Sequence, residues 1–579
     1  MVAKPAFEHT FKKRMVAVAV FFVLCLLFII GRLASMQLLH NEKYQVMAEG
    51  QRTNQHQLMP TRGEIQIWDS FTNLPYTVAT SSEKIMVYAN PSQITDIEFT
   101  AQRLADLLNL SAEDIVPKIS DSAKKYVVIK KDLSEAEQAT IRDAKLTGIN
   151  FDKEISRLYP ERTLLAQLLG FVGFVGDERK GSYGLELAYN NELSGQPGLL
   201  LEEKDSAGRW IFGGKRDRIP AKDGDSVLLT IDKTIQFKVE AVLKDTVEKH
   251  SADSGSVVVM DPKTGAVIAM ATYPTFDLND YGKVPSAEMY SNQVTMGAYE
   301  PGSIFKPITF AAAINEGKIT PRMTYQDTGE VKVDEYTIKN SDGKSYGEQT
   351  MSQVLEQSLN TGTIFVKDSI GNPKFKEYVE RFGFGKKTGI EVLESTGNLA
   401  NLRGNIRVNY HTASFGQGIS VTPLQIVQAF SAIANGGVMT SPYVVQKIIR
   451  DSGELEDVSR SEKRQVISAR TASEVAAMMV NVVENGHGQR AKVPGYYMAG
   501  KTGTAQVARK DGRGYQENNN IGSFVGFGPV EDPKFVILVR VNHPRTVRFA
   551  EATAAPAFGE IAQFLVQHYK IVPTRQINP

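Results

Sequence analysis

Glu300-Pro301-Gly302-Ser303-Ile304-Phe305-Lys306-Pro307 is the stretch from which the fold and the chemistry of this chain are inferred. Its Pro-Gly turn leads into an apolar segment with helical periodicity, which Gly317 is placed to end. The pattern predicts that Ser303 opens a helix and that Lys306 lies on the same helix face. An amine in an apolar pocket can lose its charge and accept the proton of a serine hydroxyl. The pair therefore predicts a nucleophile and its base, although Ser-x-x-Lys alone is a weak motif.

Two later motifs support this interpretation. Ser358-Leu359-Asn360 follows a predicted helical segment, and Lys501-Thr502-Gly503-Thr504 precedes two predicted strands near the end of the chain. Taken alone, the first is typical of a loop serine and the second of a solvated turn lysine. Their order after Ser-x-x-Lys matches the motif set of serine β-lactamases and penicillin-binding proteins.

That match assigns a role to each predicted catalytic residue. Ser303 would attack a carbonyl group, and Lys306 would act as the base with help from the hydroxyl of Ser358. Asn360 would hydrogen-bond the amide of the substrate. Lys501 would lower the pKa of Lys306 and attract a carboxylate.

The predicted substrate-binding residues are Thr502, Gly503 and Thr504. The two threonines would bind the carboxylate, on a strand whose backbone can pair with an extended peptide. The oxyanion hole would consist of the backbone N–H groups of Ser303 and Thr504.

Composition excludes several other classes of protein. The 579 residues are sufficient for about three or four domains, and a net charge of +1 gives no electrostatic sign of nucleic-acid binding. The sole cysteine, Cys25, cannot form an intrachain disulfide or a cysteine-based metal site. No histidine or carboxylate cluster has metal-ligand spacing, so we expect neither a metal nor a cofactor.

The N-terminal region predicts a single membrane anchor. Lys12, Lys13 and Arg14 precede an unbroken apolar run over residues 15–31, at the low end of the length of a membrane span. The alternative, a cleaved signal peptide, fits less well because the run is long and no convincing cleavage site follows. We expect residues 1–14 to be a cytoplasmic tail, residues 15–36 the anchor, and the rest of the chain extracytoplasmic.

The remaining chain predicts two domains. Residues 37–225 mix strands, helices and turns without a catalytic cluster, which indicates an α+β pedestal. Residues 226–579 predict an α/β (α+β) domain in which helices flank an antiparallel sheet, and its motif set resembles that of the penicillin-binding/serine β-lactamase-like transpeptidase domain. Its predicted elements include a helix over residues 233–249, a hairpin turning at residues 261–265 and a final helix over residues 556–569.

Over nearly its whole length the chain resembles a class B penicillin-binding protein, a membrane-anchored peptidoglycan D,D-transpeptidase. Besides the three catalytic motifs, the segments that carry the resemblance are Arg62-Gly63, Gly184-Leu185-Glu186, Asp261-Pro262 with Gly265, Gly416-Gln417-Gly418 and Thr422-Pro423-Leu424-Gln425. Glu300 at the start of the first motif resembles the septal, cell-division branch, since the elongation branch tends to have proline there. The chain departs from the family pattern after Arg62-Gly63, where Gln66-Ile67-Trp68-Asp69-Ser70 replaces a turn of the Asp-Arg-Asn-Gly type.

The resemblance implies a reaction and a set of partners. Ser303 would be acylated by the penultimate D-alanine of a stem peptide, the terminal D-alanine would leave, and an amine of a neighbouring strand would take the acyl group. β-Lactams would block Ser303. The protein partners would be a multi-spanning glycan polymerase and other divisome membrane proteins.

Several alternatives remain open at this stage. An elongation-type transpeptidase or a D,D-carboxypeptidase would carry the same motifs. A serine β-lactamase would need a carboxylate to activate water, and Glu394 with Asn398 offers such a spacing. A β-lactam receptor or an inactive scaffold is less consistent with one membrane span and intact motifs. His411 and His487 lie outside the motifs and are interpreted as structural or solvated histidines.

Overall fold

The structure is a computed structural model that describes residues 6–39, 53–176, 178–203, 216–458, 463–509, 514–547 and 549–576. The first five residues of the predicted cytoplasmic tail lie outside these ranges. The described residues form two compact units. One unit falls within residues 1–60 and 195–223, and the other within residues 61–194 and 224–579.

The first unit contains an N-terminal helix and a small sheet. The helix, Ala6–Ala34, continues into a short π-helical turn, Ser35–Leu39. The segment Arg14–Gln37 is long and apolar enough to cross a membrane, with a mean hydropathy of 2.8. The sheet is antiparallel, with strands in the order Thr53–Leu58, Gly198–Glu203 and Arg216–Ile219.

The second unit contains a seven-stranded mixed sheet. Its strand order is Leu455–Asp457, Val445–Ile449, Ser226–Asp232, Ile65–Asp69, Leu74–Ala89 and Val127–Lys130, with Ile149–Leu158 also paired to Leu74–Ala89. Ser226–Asp232 runs parallel to Ile65–Asp69 and antiparallel to Val445–Ile449. Strands from both sides of residue 225 therefore share this sheet, and the division into residues 37–225 and 226–579 stays a prediction.

Short helices and a hairpin complete the part of this unit before residue 195. The helices are Ile97–Leu108, Ala112–Ile119, Glu135–Ala144, Ala166–Leu169, Gly184–Ala188 and Asn190–Ser194, beside the 3-10 turn Pro91–Gln93 and the hairpin Phe171–Val175 with Glu178–Ser182. Ser134 and Glu137 form a capping box, in which each side chain accepts a hydrogen bond from the other's backbone N–H.

A buried ion-pair network joins two of the segments that carry the resemblance. Arg62 Nε and Arg157 Nε each lie 2.7 Å from an oxygen of Glu186, which is fully buried. The hydroxyl of Tyr159 donates to the same carboxylate at 3.2 Å. Two cations and a hydroxyl thus offset the cost of burying this charge. Gly63 has no room for a side chain, since an added Cβ would lie 2.0 Å from the carbonyl oxygen of Asp225.

A five-stranded antiparallel sheet, here called the central sheet, organises the rest of the unit. Its strand order is Val267–Tyr273, Ser254–Met260, Phe535–Asn542, Tyr515–Gly528 and Ala499–Ala508. The predicted hairpin is confirmed, and Gly265 closes its turn with a φ of +86° and an N–H donated to Asp261 O at 2.9 Å.

Both faces of the central sheet are buried. Val257 and Val259 pack with the core under Lys233–Lys249 and Ala554–His568, whereas Val258 and Met260 pack with the core of Lys306–Asn315 and Pro423–Ala434. Alternate residues of one strand thus serve two cores, which explains its continuous apolar sequence. The predicted helix over residues 233–249 is confirmed, and the final helix begins two residues earlier than predicted, at Ala554.

The remaining elements surround these layers. The helices are Met351–Glu356, Asn360–Arg381, Arg407–Ser414 and Ala469–Glu484. The 3-10 segments are Leu278–Lys283, Ala287–Tyr290, Gly302–Phe305, Ala400–Leu402, Gln489–Ala491 and Ala550–Ala552. Three small strand pairs are Thr324–Asp327 with Gly347–Thr350, Glu330–Val333 with Tyr336–Lys339, and Val438–Met439 with Arg464–Gln465. The predicted fold class, helices around an antiparallel sheet with an α+β N-terminal part, is confirmed.

Candidate active site

Ser303 lies in a tight turn against the central sheet. The turn is the 3-10 segment Gly302–Phe305, and the α-helix begins at Lys306, so the prediction that Ser303 opens the helix is wrong by one turn. Gly302 has a φ of +59°, which favours glycine, and its N–H donates to Gly416 O at 3.0 Å. A Cβ at Gly416 would lie 2.2 Å from Gly302 O, so the predicted Gly-Gln-Gly motif permits this close contact.

The amine of Lys306 is buried beside the second motif. Its Nζ donates to Ser358 O at 2.5 Å and to Asn360 Oδ1 at 2.8 Å, and lies 3.2 Å from Ser358 Oγ. Burial, and then the charge of Lys501, hold the pKa of this amine well below its usual range. The structure therefore brings Lys306 together with Ser358 and Asn360, and its amine is suited to accept a proton.

Ser358 has an unusual backbone conformation. Its φ of +58° is in the left-handed region, between the helix Met351–Glu356 and the helix that begins at Asn360. Such a conformation costs free energy in a residue with a side chain and is found preferentially at functional sites. The turn directs both the carbonyl and the hydroxyl of Ser358 to Lys306.

The third motif lies on the edge strand Ala499–Ala508 of the central sheet. Lys501 is buried, with Nζ 3.1 Å from Thr502 O, and burial lowers the pKa of its amine to about 7. The hydroxyl oxygen of Thr504 accepts the N–H of Ala550 at 3.3 Å. A Cβ at Gly503 would lie 2.9 Å from Pro301 O, so glycine allows the strand to approach the turn of Ser303.

Two cavities meet at Ser303. One, of about 240 Å³, is lined by Ser303, Ser341, Asp342, Tyr346, Gln357, Ser358, His487, Thr502, Thr504, Phe549, Ala550 and Glu551. The other, of about 390 Å³, is lined by residues that include Ser303, Asn360, Gln417, Thr504, Gln506 and Asn520. The two cavities make a cleft along the edge strand, with the nucleophile candidate between its halves.

Comparisons with known proteins agree with this geometry. Residues 255–563 match the family described as the penicillin binding protein transpeptidase domain, and residues 57–229 match the penicillin-binding protein dimerisation domain. Stage V sporulation protein D of Bacillus subtilis is 34% identical over 98% of this chain and 87% of its own length. The probable peptidoglycan D,D-transpeptidase PbpC of Pseudomonas aeruginosa is 30% identical over 95% of this chain and 94% of its own length.

The chain belongs to the class B penicillin-binding proteins, which are peptidoglycan D,D-transpeptidases. Its fold is also that of a solved member of the family. The structure of penicillin binding protein 3 from Mycobacterium tuberculosis, complexed with aztreonam, superposes with a TM-score of 0.69 at 25% identity. That similarity covers 90% of this chain and 99% of the solved one.

The cleft of this penicillin-binding protein contains a histidine–carboxylate contact that the sequence did not predict. His487 Nδ1 lies 3.1 Å from Glu551 Oε2, and both side chains line the cavity that Ser303 shares. Glu551 lies 64 residues after His487 in a 3-10 segment, so only the fold brings them together. His411 has a different setting: it is buried and its Nε2 lies 3.0 Å from Asp368 Oδ1, consistent with the structural role predicted for it.

The carboxylate of Glu394 accepts hydrogen bonds from a neighbouring turn in this penicillin-binding protein. One of its oxygens accepts hydrogen bonds from the N–H and hydroxyl of Thr388, at 2.8 and 2.7 Å, and the other accepts the N–H of Gly389 at 3.0 Å. Its carboxylate therefore holds a turn together. The arrangement does not favour the β-lactamase hypothesis, in which this carboxylate would activate water.

Proposed function

We propose that the chain cross-links peptidoglycan through an acyl-Ser303 intermediate. The observation that supports this most directly is the environment of Lys306, a buried amine with a lowered pKa in contact with Ser358 and Asn360. An amine of this kind is a suitable general base for a serine hydroxyl in the same cleft.

Acylation would proceed as follows. Ser303 Oγ attacks the carbonyl carbon of the penultimate D-alanine, and its proton passes to Lys306, directly or through the hydroxyl of Ser358. Backbone N–H groups of Ser303 and Thr504 stabilise the oxyanion. The C–N bond to the terminal D-alanine then breaks, and that amine leaves with the proton from Lys306.

Deacylation would reverse the proton path. The acceptor amine attacks the acyl carbon and loses its proton to Lys306, and Ser303 Oγ regains a proton as the ester bond breaks. Asn360 and residues 502–504 hold the substrate, and Lys501 favours its terminal carboxylate. A β-lactam acylates Ser303 by opening its ring amide, so no group departs and the adduct persists.

Intact-protein mass spectrometry tests this proposal. The full chain in detergent, mixed with benzylpenicillin, should gain the whole mass of the penicillin, whereas Ser303→Ala should gain nothing. Slow loss of the adduct would support a penicillin-binding protein over a hydrolase. A wild-type chain that forms no adduct would refute Ser303 as the nucleophile.

We further propose that the protein is a single-pass protein of the cell membrane, with a cytoplasmic N-terminus and a role in septal wall synthesis. The basic residues before Arg14–Gln37 support the orientation, and Glu300 supports the septal branch. The glycan polymerase and other divisome membrane proteins would be its partners. A role in sporulation is a second candidate, favoured by the 34% identity to Stage V sporulation protein D.

A fluorescent fusion of the full chain in its host separates these roles. Enrichment at the septum of growing cells supports the division role, and an even lateral distribution supports an elongation-type enzyme. Production confined to sporulating cells supports the second candidate.

A further inference from the structure

The helix that begins at Asn360 is capped by a distant side chain. The first N–H groups of an α-helix lack partners within the helix, and the N-cap residue usually supplies one. Here the N-cap is Leu359, whose side chain cannot accept a hydrogen bond. Asn340 Oδ1 takes this role, accepting the N–H of Asn360 at 2.9 Å and the N–H of Thr361 at 3.3 Å.

The orientation of Asn340 is fixed by a buried network. Asn340 is 4% exposed, and its Nδ2 donates to the carboxylate of Asp327 at 3.1–3.2 Å and to Lys344 O at 3.1 Å. Asp327, which is 1% exposed, also accepts the hydroxyl of Thr361 at 2.5 Å and the N–H of Tyr346 at 2.8 Å. Because the amide nitrogen faces a carboxylate, its oxygen is left to face the helix.

The same segment also holds the side chain of Asn360. Its Nδ2 donates to Lys339 O at 3.0 Å, and its Oδ1 accepts from Lys306 Nζ at 2.8 Å. Asn360 is therefore attached to residues 339–340 through its backbone and through its side chain. A shift of this segment would move the oxygen that contacts the amine of Lys306.

We propose that Asn340 is a positioning residue for acylation, which sets Asn360 against Lys306 through the first turn of the helix. The inference rests on the proposed function, because it assumes that Lys306 is the base in acylation of Ser303. Asp327 is its support, since it fixes which atom of Asn340 faces the helix.

The second-order rate constant for acylation by a fluorescent penicillin tests the proposal on the full chain in detergent. We expect Asn340→Ala to lower it at least 30-fold. Asp232→Ala is the matched control, because Asp232 caps the helix Lys233–Lys249 by accepting the N–H of Ile235 at 2.9 Å, away from the cleft. The Asp232→Ala variant should lower the melting temperature about as much as Asn340→Ala does, but it should change the rate constant for acylation less than threefold.

Exchanging the side chains at positions 327 and 340 tests whether slow acylation comes from lost positioning of Asn360 or from general destabilisation of the fold. Asn340→Asp alone places two buried carboxylates in contact and should impair acylation as strongly as Asn340→Ala. Combined with Asp327→Asn, it restores a donor facing an acceptor between positions 327 and 340 while Lys344 O still lacks its donor, and the rate constant should recover in part, at least tenfold. The exchange also keeps the test decisive if Asn340→Ala does not fold.

The outcomes also distinguish the two proposals. A wild-type chain that forms no adduct on Ser303 overturns the proposed function itself. If the wild type is acylated and Asn340→Ala reacts within threefold of it, Asn340 has no positioning role. An exchange variant that folds but stays as slow as Asn340→Asp also overturns the inference.

Discussion

The buried side-chain nitrogen of Lys306 lies 2.8 Å from the side-chain oxygen of Asn360, a residue that lines the cleft. Within the part of the chain that the structure describes, the hydrogen-bond partners of this amine are all uncharged oxygens. No carboxylate there offsets the loss of solvation, and the neighbouring charge of Lys501 is repulsive. The site therefore favours the neutral amine, which is the form that a general base requires.

Lys306→Met should abolish acylation without destabilising the fold. Loss of a general base costs roughly 10²–10⁴-fold in rate. Because the pKa of Lys306 is lower in the folded chain than in the unfolded one, the unfolded state binds more protons between the two values. The free energy of unfolding of the wild type should therefore rise with pH across this window, and Lys306→Met should reduce that slope.

Thermal unfolding at pH 7 and pH 9, beside penicillin acylation, measures both effects. The expected result is a melting temperature at pH 7 equal to or above that of the wild type, with almost no adduct. A variant that melts well below the wild type would contradict the inference that the buried amine is a cost to stability.

The lowered pKa of the Lys501 amine leads us to expect that ligand binding depends on pH. Its pKa is about 7, so its cationic fraction falls up to tenfold for each pH unit above that value. The initial complex with a carboxylate-bearing penicillin should weaken accordingly between pH 7 and pH 9. Stopped-flow measurement of the concentration dependence of acylation gives the dissociation constant of this complex.

Two controls identify the group responsible. The methyl ester of the same penicillin lacks the carboxylate, so its binding should be independent of pH in this range. Glu551→Gln should move the transition to lower pH, since the carboxylate of Glu551 raises the pKa of Lys501. An unchanged transition in that variant would argue against an electrostatic effect of Glu551 on Lys501.

Much of this site was predictable because its motifs are local. Ser303 and Lys306 are three residues apart, and each later motif spans three or four residues, so sequence spacing alone indicates the chemistry. The capping boxes at Ser134 and Thr422 are local patterns of the same kind, with Glu or Gln three residues after the capping hydroxyl.

Contacts between distant segments could not be predicted in this way. Asn340 caps a helix that begins twenty residues later, and its neighbours in sequence form no recognised motif. The parallel pairing of Ile65–Asp69 with Ser226–Asp232 also depends on the tertiary fold. The 3-10 turn at Ser303 was missed because its contacts with Gly416 and Gly503 are long-range.

Glu394→Gln should weaken the fold but not change the lifetime of the acyl-enzyme. The substitution turns an amide N–H towards the donors of Thr388 or towards the N–H of Gly389, so the free energy of unfolding should fall by about 1–3 kcal/mol. A time course of penicillin-adduct loss should agree with that of the wild type within about twofold, because the carboxylate of Glu394 is engaged in holding a turn. Much slower loss in the variant would instead revive the β-lactamase hypothesis.

Glu186→Ala should be among the most destabilising single changes in the second unit. It leaves the buried guanidinium groups of Arg62 and Arg157 without their carboxylate, and breaking such a pair costs roughly 3–5 kcal/mol. Lys153→Ala is the control, since it removes an ion pair with Glu83 whose side chains are 66% and 61% exposed. Chemical denaturation of the two variants should show a large loss for the first and no measurable loss for the second. Equal midpoints would mean that the arginines find other partners when Glu186 is absent, and that the network does not stabilise the fold.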